Sequence, residues 1–492
     1  MRLLCPTKIL LVKILANYIN GKLTEPLAGR YIDNIDPSTG QVYGKIPASD
    51  SSDIAQAVES AMLAFHSWSQ TPTSERSRIL VRLADLIQEH SKALAEAECI
   101  DNGKPLSLAM QMDIPRAEDN IRFFATAILH WNSEAHIMEN KAINYTNRKP
   151  IGVVACISPW NLPLYLFTWK IAPALAIGNC VVAKPSEITP MTAFLLSKLC
   201  IEAGLPAGVL NIVHGSGAEA GDALVNHPKV KAISFTGGTA TGARIAAAVA
   251  PKFKKLSLEL GGKNPTIIFD DCDYDKMLRT TLRASFANQG QICLCGSRIL
   301  VQDSIYDRFI ADFTAKVAAM KVGDPLLDET RTGAVVSEAH MNKILSYIDL
   351  AKEEGGTVLC GGKRVVVEGR CSEGFFVEPT VIAGLGPTCR TNQEEIFGPV
   401  VTIQKFSGEE HALELANATE YGLAASLWTS DVTRAHRFSA KLESGIVWVN
   451  TWLLRDLRTP FGGVKHSGVG REGGWEALRF FTEPQNVCID LQ

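Results

Sequence analysis

Ala232-Ile233-Ser234-Phe235-Thr236-Gly237-Gly238-Thr239-Ala240-Thr241-Gly242 is an apolar run that stops at two glycines and reopens as helix-forming sequence. A strand that ends in glycine and feeds a helix leaves backbone N–H groups free, aligned with the helix dipole, beyond the sheet edge. The pattern repeats upstream. Apolar runs at 152–157, 179–184, 209–215 and 232–237 alternate with helix-like stretches at 190–203, 218–226 and 241–250. Such β-α repetition predicts a parallel sheet wrapped by helices. Thr189-Pro190 reads as a helix start, a capping oxygen followed by proline in the first helical position.

The strand ends carry the information. They read Ser158-Pro159-Trp160-Asn161, Lys184-Pro185-Ser186-Glu187, His214-Gly215-Ser216-Gly217 and Phe235-Thr236-Gly237-Gly238-Thr239. Ligands of open α/β sheets bind beyond the carboxyl ends of the strands, so one crevice collects all four segments. Gly215–Gly221 misses the dinucleotide fingerprint by one residue and is weak alone. Lys184 and Glu187 suit the two hydroxyls of an adenosine ribose, and a carboxylate there repels a 2′-phosphate, favouring NAD over NADP. The plainer alternative for the two is a surface ion pair.

Composition sets the bounds. A chain of 492 residues predicts two or three domains, and 46% hydrophobic with 21% charged residues is globular. A net charge of -3 gives no reason to expect nucleic acid or a membrane surface as partner. The 12 cysteines are scattered without zinc spacing, so no metal is expected, and reduced thiols fit a cytoplasmic location. The apolar stretch within residues 1–15 is interrupted by Lys8 and Lys13, and is expected to be an extension before the first strand. Residues 52–138 read as helical. A second α/β segment follows Lys263, with strands at 265–269 and 298–301 and helices at 277–288 and 306–320. Alternating Asn144-Tyr145-Thr146-Asn147-Arg148 reads as a hairpin strand that, with the tail after Phe481, offers an edge for pairing with another chain.

Cys293 lies in Asn288-Gln289-Gly290-Gln291-Ile292-Cys293-Leu294-Cys295-Gly296, a glycine-flanked turn after a helix-like run. Glu259-Leu260-Gly261-Gly262-Lys263 and Pro159-Trp160-Asn161-Leu162-Pro163 add a carboxylate and a carboxamide. Thiol, amide and carboxylate are what acyl chemistry through a thioester needs: nucleophile, oxyanion donor and activator of water. At neutral pH an unperturbed thiol is mostly protonated, so the site is expected to favour the thiolate. Cys295 is expected to pack, or to modulate its neighbour on oxidation. A thiol hydrolase is the rival chemistry, but none of these motifs contains a histidine base.

Six segments in order, 159–163, 184–187, 235–242, 259–263, 289–293 and 394–399, resemble those of aldehyde dehydrogenases over nearly the whole chain. The resemblance implies an α/β fold with a Rossmann-type NAD-binding domain (16–133 and 152–262) and an α/β catalytic domain (263–470). It also implies a small β oligomerisation arm (134–151 and 471–492) and a homodimer or homotetramer. It makes Cys293 the nucleophile, Asn161 part of the oxyanion hole and Glu259 the base for deacylation. Expected cofactor contacts are Ser158, Pro159, Trp160, Lys184, Ser186, Glu187, Gly217, Phe235, Thr236, Gly237, Gly238, Gly242 and Leu260, with Glu395 and Phe397 at the nicotinamide half. Gly238 departs from the family, which often has a serine there. A CoA-acylating version is disfavoured by Glu259, and a catalytically silent member of the fold by the intact set of three.

Two arginine-bearing segments, Met112-Asp113-Ile114-Pro115-Arg116 and Trp452-Leu453-Leu454-Arg455-Asp456, narrow the substrate. Arg116 and Arg455, on opposite sides of an aldehyde tunnel, could clamp a carboxylate, with Leu162 and Tyr165 beside them. Arg122 instead has Glu118 one helical turn before it, as an ordinary ion pair. Together these segments resemble the branch of the family that oxidises 2-aminomuconate or 2-hydroxymuconate semialdehyde. A broad-specificity aldehyde dehydrogenase is the alternative.

Overall fold

The computed structural model describes residues 13–492, so the reading of residues 1–12 as an extension lies outside the described residues. The ordered fold begins before the expected boundary at 16. Lys13–Ile14 pairs in parallel with Gln41–Pro47, and Leu15 is buried.

The first sheet has eight strands, in the order Gly468–Val469, Lys255–Glu259, Val230–Thr236, Val153–Ile157, Cys180–Lys184, Leu210–Ile212, Asn17–Ile19 and Lys22–Thr24. Its five central strands are parallel. Val153–Ile157 and Cys180–Lys184 are buried at every position, as expected of strands covered by helices on both faces. Chain order reverses at Val153–Ile157, which lies between Val230–Thr236 and Cys180–Lys184. That reversal point is where an open α/β sheet parts its crossovers and opens a crevice. Gly468–Val469, which the sequence reading grouped with 263–470, hydrogen-bonds instead beside Lys255–Glu259 in this sheet.

The second sheet orders Thr357–Cys360, Thr380–Ala383, Val400–Phe406, Arg298–Gln302, Pro265–Ile268, Ala424–Trp428 and Ile446–Val449, all parallel save the first. A third, antiparallel sheet joins Ala135–Met138, Ala142–Pro150 and Thr482–Asp490. The tail after Phe481 therefore pairs with the hairpin strand of its own chain. Ala135–Met138, read from sequence as the end of a helical stretch, is an exposed strand.

Helix Thr239–Val249 starts two residues earlier than expected, directly on Gly238. The 218–226 stretch opens as a π turn, Gly217–Gly221, before Asp222–Asn226. The expected cap of helix Met191–Glu202 is absent: the Thr189 hydroxyl donates to the Trp160 carbonyl at 3.3 Å. Asp101 does the work from another helix, accepting the Met191 amide at 2.7 Å. A cap supplied from ninety residues away leaves no local pattern to read.

Behind the crevice lies a fully buried ion cluster. Lys104 bonds Glu98 at 3.2 Å, Asp113, and the backbone carbonyl of Asn161 at 3.1 Å. Its side chain and both carboxylates have no solvent exposure. Removing one partner from a buried pair strands the other's charge, at about 3–5 kcal/mol. Lys104→Met is expected to lower stability by that amount in thermal or denaturant unfolding, with secondary structure retained below the transition.

Candidate active site

The turn before Cys293 is conformationally expensive. Asn288 (φ 51°) and Gln289 (φ 57°) hold left-handed backbone, followed by Gly290 (φ 70°). Such conformations cost roughly 1–2 kcal/mol for each non-glycine residue. Side-chain hydrogen bonds hold them in place. Gln289 Nε2 donates to the Ala334 carbonyl at 2.8 Å, and Asn288 Nδ2 donates to the Asn161 carbonyl at 2.9 Å. Gln291 Oε1 accepts the Val336 amide at 3.0 Å. Gly290 is required twice, because any Cβ there would also strike the Gly398 carbonyl. Asn264 Nδ2 donates to the carbonyls of Cys293 at 2.7 Å and Cys295 at 2.9 Å, fixing the far side of the turn.

Asn161 faces this turn. Its Nδ2 donates to the Gln291 carbonyl at 2.9 Å, which orients the carboxamide and leaves its second N–H free for an oxyanion. Asn161 and Cys293 line one cavity of about 240 Å³, together with Pro159, Trp160, Thr236–Gly238, Leu260, Gly261, His340, Lys343, Glu395 and Phe397. Glu259 ends its strand just behind. Its carboxylate is buried, neither oxygen has a hydrogen-bond partner, and it does not line that cavity. Glu259 instead lies beside Gly462 and within the field of a buried Lys170–Glu472 pair, 2.7 Å apart, that also holds Ser234.

The electrostatics correct one expectation. Burial, followed by the charges of Glu395 and Glu259, pushes the Cys293 thiol up, and only Arg455 pulls it the other way. Burial and the two carboxylates therefore favour the neutral thiol over the expected thiolate. Burial, then the charge of Glu472, likewise lifts Glu259 well above the carboxylate range. Cys295 is buried and pushed up to about 12, with Sγ 3.9 Å from the Ala287 carbonyl, so it packs as an inert thiol.

A second, larger cleft of about 410 Å³ adjoins the first and is lined by Ser158, Pro159, Trp160, Lys184, Ser186, Glu187, Gly217, Phe235, Thr236, Gly237 and Gly238, among others. Lys184 Nζ lies 3.1 Å from Glu187, which also accepts the Gly217 amide at 3.2 Å. Lys184 is buried, so this is no ordinary surface pair. Burial works against the Glu187 charge, but Lys184 wins and holds the carboxyl below its usual range. Gly242 lets the helix approach Leu260, since a Cβ there would lie 2.6 Å from that side chain. The cleft has the marks of a dinucleotide site. The hydroxyls of Ser158 and Thr236 are buried without partners, and the Cβ directions at Gly217 and Gly238 open into free space. Helix Thr239–Val249 begins there, where its dipole favours a phosphate.

Arg116 and Arg455 line a broad depression of about 890 Å³ with Phe123, Trp448, Leu454 and Phe461. The Arg455 guanidinium lies 3.9 Å from the Phe461 ring centre and 5.1 Å from that of Trp169, and donates to the Tyr165 hydroxyl at 2.7 Å. Arg116 lies 6.0 Å from the same Tyr165 ring. Their neighbours are neutralised: Arg122 by Glu118 and Asp85, Arg458 by Asp456. Leu162 stands apart, buried in the core at the start of helix Pro163–Ala176 and lining neither this depression nor the Cys293 cavity.

His340, Lys343, Lys170, Glu472, Lys104 and Asn264 escaped the sequence reading. Asn264 directly follows the 259–263 motif and Lys170 lies on the helix that Pro163 opens, while the other four reach the site from elements outside the six motifs. Only Lys170 left a trace, as a charge inside an otherwise apolar and wholly buried helix.

A thiol, an amide and a carboxylate thus stand beside a cleft shaped for a dinucleotide, and the chain belongs to the aldehyde dehydrogenase family, whose model matches residues 24–487. It is 49% identical to a 2-aminomuconic semialdehyde dehydrogenase of Bos taurus over 479 residues, 97% of this chain and 98% of the relative. It is 45% identical to a 2-hydroxymuconic semialdehyde dehydrogenase of Pseudomonas sp. (strain CF600), covering 98% of this chain and 100% of that one. The NAD+ complex of an aldehyde dehydrogenase from Bacillus cereus superposes with a TM-score of 0.95 at 38% identity, covering 98% and 97% of the two chains.

Removing one oxyanion donor typically costs about 2.7–4 kcal/mol of transition-state stabilisation. Asn161→Ala is expected to lower kcat about 10²–10³-fold at saturating aldehyde, measured by steady-state absorbance of the reduced nicotinamide.

Proposed function

We propose that this enzyme oxidises an unsaturated semialdehyde bearing a carboxylate, 2-aminomuconic or 2-hydroxymuconic semialdehyde, to the dicarboxylic acid with NAD as acceptor. The observation that carries the substrate class is the pair of arginines in the depression. Arg455 spreads its planar cation on aromatic rings and spends one N–H on Tyr165, leaving the rest of its donor fork for a carboxylate. The names of the relatives support the same class.

Cys293 gives up its proton to solvent water, its Sγ attacks the aldehyde carbon, and the free N–H of Asn161 donates to the developing oxyanion. NAD, when bound, accepts the hydride that leaves this carbon. Lys184 and Glu187 would hold its adenosine ribose, the start of helix Thr239–Val249 its pyrophosphate, and the cavity of Glu395 and Phe397 its nicotinamide half. The product on Cys293 is a thioester. Glu259, ionised and swung from its buried seat, removes a proton from the water that hydrolyses it. In the buried seat Glu472 favours the protonated form of Glu259 and Lys170 opposes it.

The three-stranded arm exposes Ile137, Met138, Tyr145, Ile489 and Leu491, and Ile446–Val449 ends the second sheet with one free edge. These surfaces support a homodimer or homotetramer. Unpaired cysteines throughout the described residues support a cytoplasmic location.

Arg455→Ala and Arg116→Ala are each expected to cost about 1.5–3 kcal/mol of transition-state binding for a muconic semialdehyde, the worth of a hydrogen bond to a charged group. Activity on an uncharged aliphatic aldehyde should change little. Equal losses on both substrates would point to a broad-specificity enzyme. Glu259→Gln is expected to retain a burst of reduced nicotinamide while steady turnover falls roughly 10²–10⁴-fold. Because Glu259 is raised, it is protonated and inactive as a base below that value. Wild-type kcat should therefore fall with decreasing pH through a midpoint above the usual carboxylate range, and the limb should vanish in Glu259→Gln.

A further inference from the structure

Phe397 is a bulky residue with left-handed backbone, φ 63°, at the edge of the Cys293 cavity. Nothing in its own segment explains the conformation, which β-carbon crowding disfavours. The explanation lies across the cavity on helix Glu338–Glu353. His340 Nε2 is 2.7 Å from the Phe397 carbonyl, and Lys343 Nζ is 3.1 Å from the Glu395 carbonyl. Ile344 packs so closely on Gly398 that a Cβ there would lie 2.5 Å from it. Residues 340, 343 and 344 share one helix face, so a single rigid element grips the loop at three successive points. The rings of His340 and Phe397 both meet Trp160 edge to face, with centroids 5.2 Å away in each case.

We propose that His340 is a positioning residue: its N–H holds Phe397 in the left-handed conformation and thereby sets how tightly the nicotinamide half of the cofactor is retained. The assignment rests on the reading that this cavity takes the nicotinamide half of NAD. Burial keeps the His340 ring neutral, its pKa drawn down to about 4, so one ring nitrogen carries the only N–H, and the carbonyl selects Nε2. Without that hydrogen bond the loop relaxes towards ordinary backbone, Phe397 leaves Trp160, and Glu395 loses its fixed place against Gly262, whose amide it accepts at 2.9 Å.

Two substitutions separate the hydrogen bond from the ring. His340→Phe keeps an aromatic ring against Trp160 and loses the donor; His340→Gln loses the ring and keeps an N–H. Two readouts are taken. Amide hydrogen exchange of residues 394–400 in the cofactor-free protein reports the loop, and the stopped-flow dissociation rate of NADH reports its consequence. His340→Phe is expected to raise both by about threefold to tenfold, the worth of one neutral hydrogen bond, while His340→Gln stays near wild type. Should His340→Phe fail to fold, His340→Ala takes its place with the same expected values. Unchanged exchange in the donorless variant overturns the latch, as does equal failure of His340→Gln. Raised exchange with an unchanged NADH rate overturns its role in retention. Absence of NADH binding by the wild type would instead defeat the cofactor reading, while the exchange measurement still decides the latch.

Discussion

Asn288, Gln289 and Gly290 turn left-handed in succession, held there by side-chain amides that reach into neighbouring segments. Asn288 ties the nucleophile turn to Asn161, Gln289 and Gln291 tie it to residues 334–336, and Gly290 seats it on Gly398. Lys104 grips the same Asn161 carbonyl from behind and is itself buried between two carboxylates. The Cys293 turn and the Asn161 carboxamide, from segments 130 residues apart, thus share one hydrogen-bonded frame. Movement of either would leave buried polar groups unpaired, each at a cost of about 1–3 kcal/mol. That cost makes the geometry rigid before any ligand arrives.

Rigidity of the frame contrasts with the neutrality of its chemical groups. Cys293 and Glu259 are both pushed towards their protonated forms, chiefly by burial. Cationic groups ring the site without pairing with either: Arg455 at the substrate mouth, and Lys170 behind, already engaged by Glu472. A resting site of this kind is inert, and its groups ionise when opposite charge or hydrogen-bond donors are brought against them, not by further loss of water. The sequence suggested a site that favours the thiolate because residue types show which groups are present, not how much water they keep.

Much of the fold was legible because its signals are local. Strands buried on both faces read as short apolar runs, and Gly237-Gly238 marked the start of helix Thr239–Val249 within two residues. Arg122 was read as a paired surface charge, and the structure pairs it with Glu118 and Asp85. What stayed hidden depends on distant partners. Thr189 looked like a cap, but Asp101 supplies one from another helix. Gly468–Val469 crosses into the first sheet through two hydrogen-bonded positions, too few to leave a pattern. His340 and Lys343 lie on an ordinary amphipathic helix, where a histidine and a lysine look like solvent-facing charge.

The account turns on one alignment: an aldehyde carbon held over Cys293 while the far carboxylate of the same molecule rests on Arg455 and Arg116. A crystal structure of a Cys293→Ser variant with NAD and a muconic semialdehyde measures it directly. The expected result has the carbonyl carbon within attacking distance, about 3–3.5 Å, of the residue 293 side-chain oxygen. Its oxygen should face Asn161, and its carboxylate should meet both guanidinium groups. A bound substrate with its carboxylate elsewhere, or its carbonyl remote from residue 293, would contradict the account.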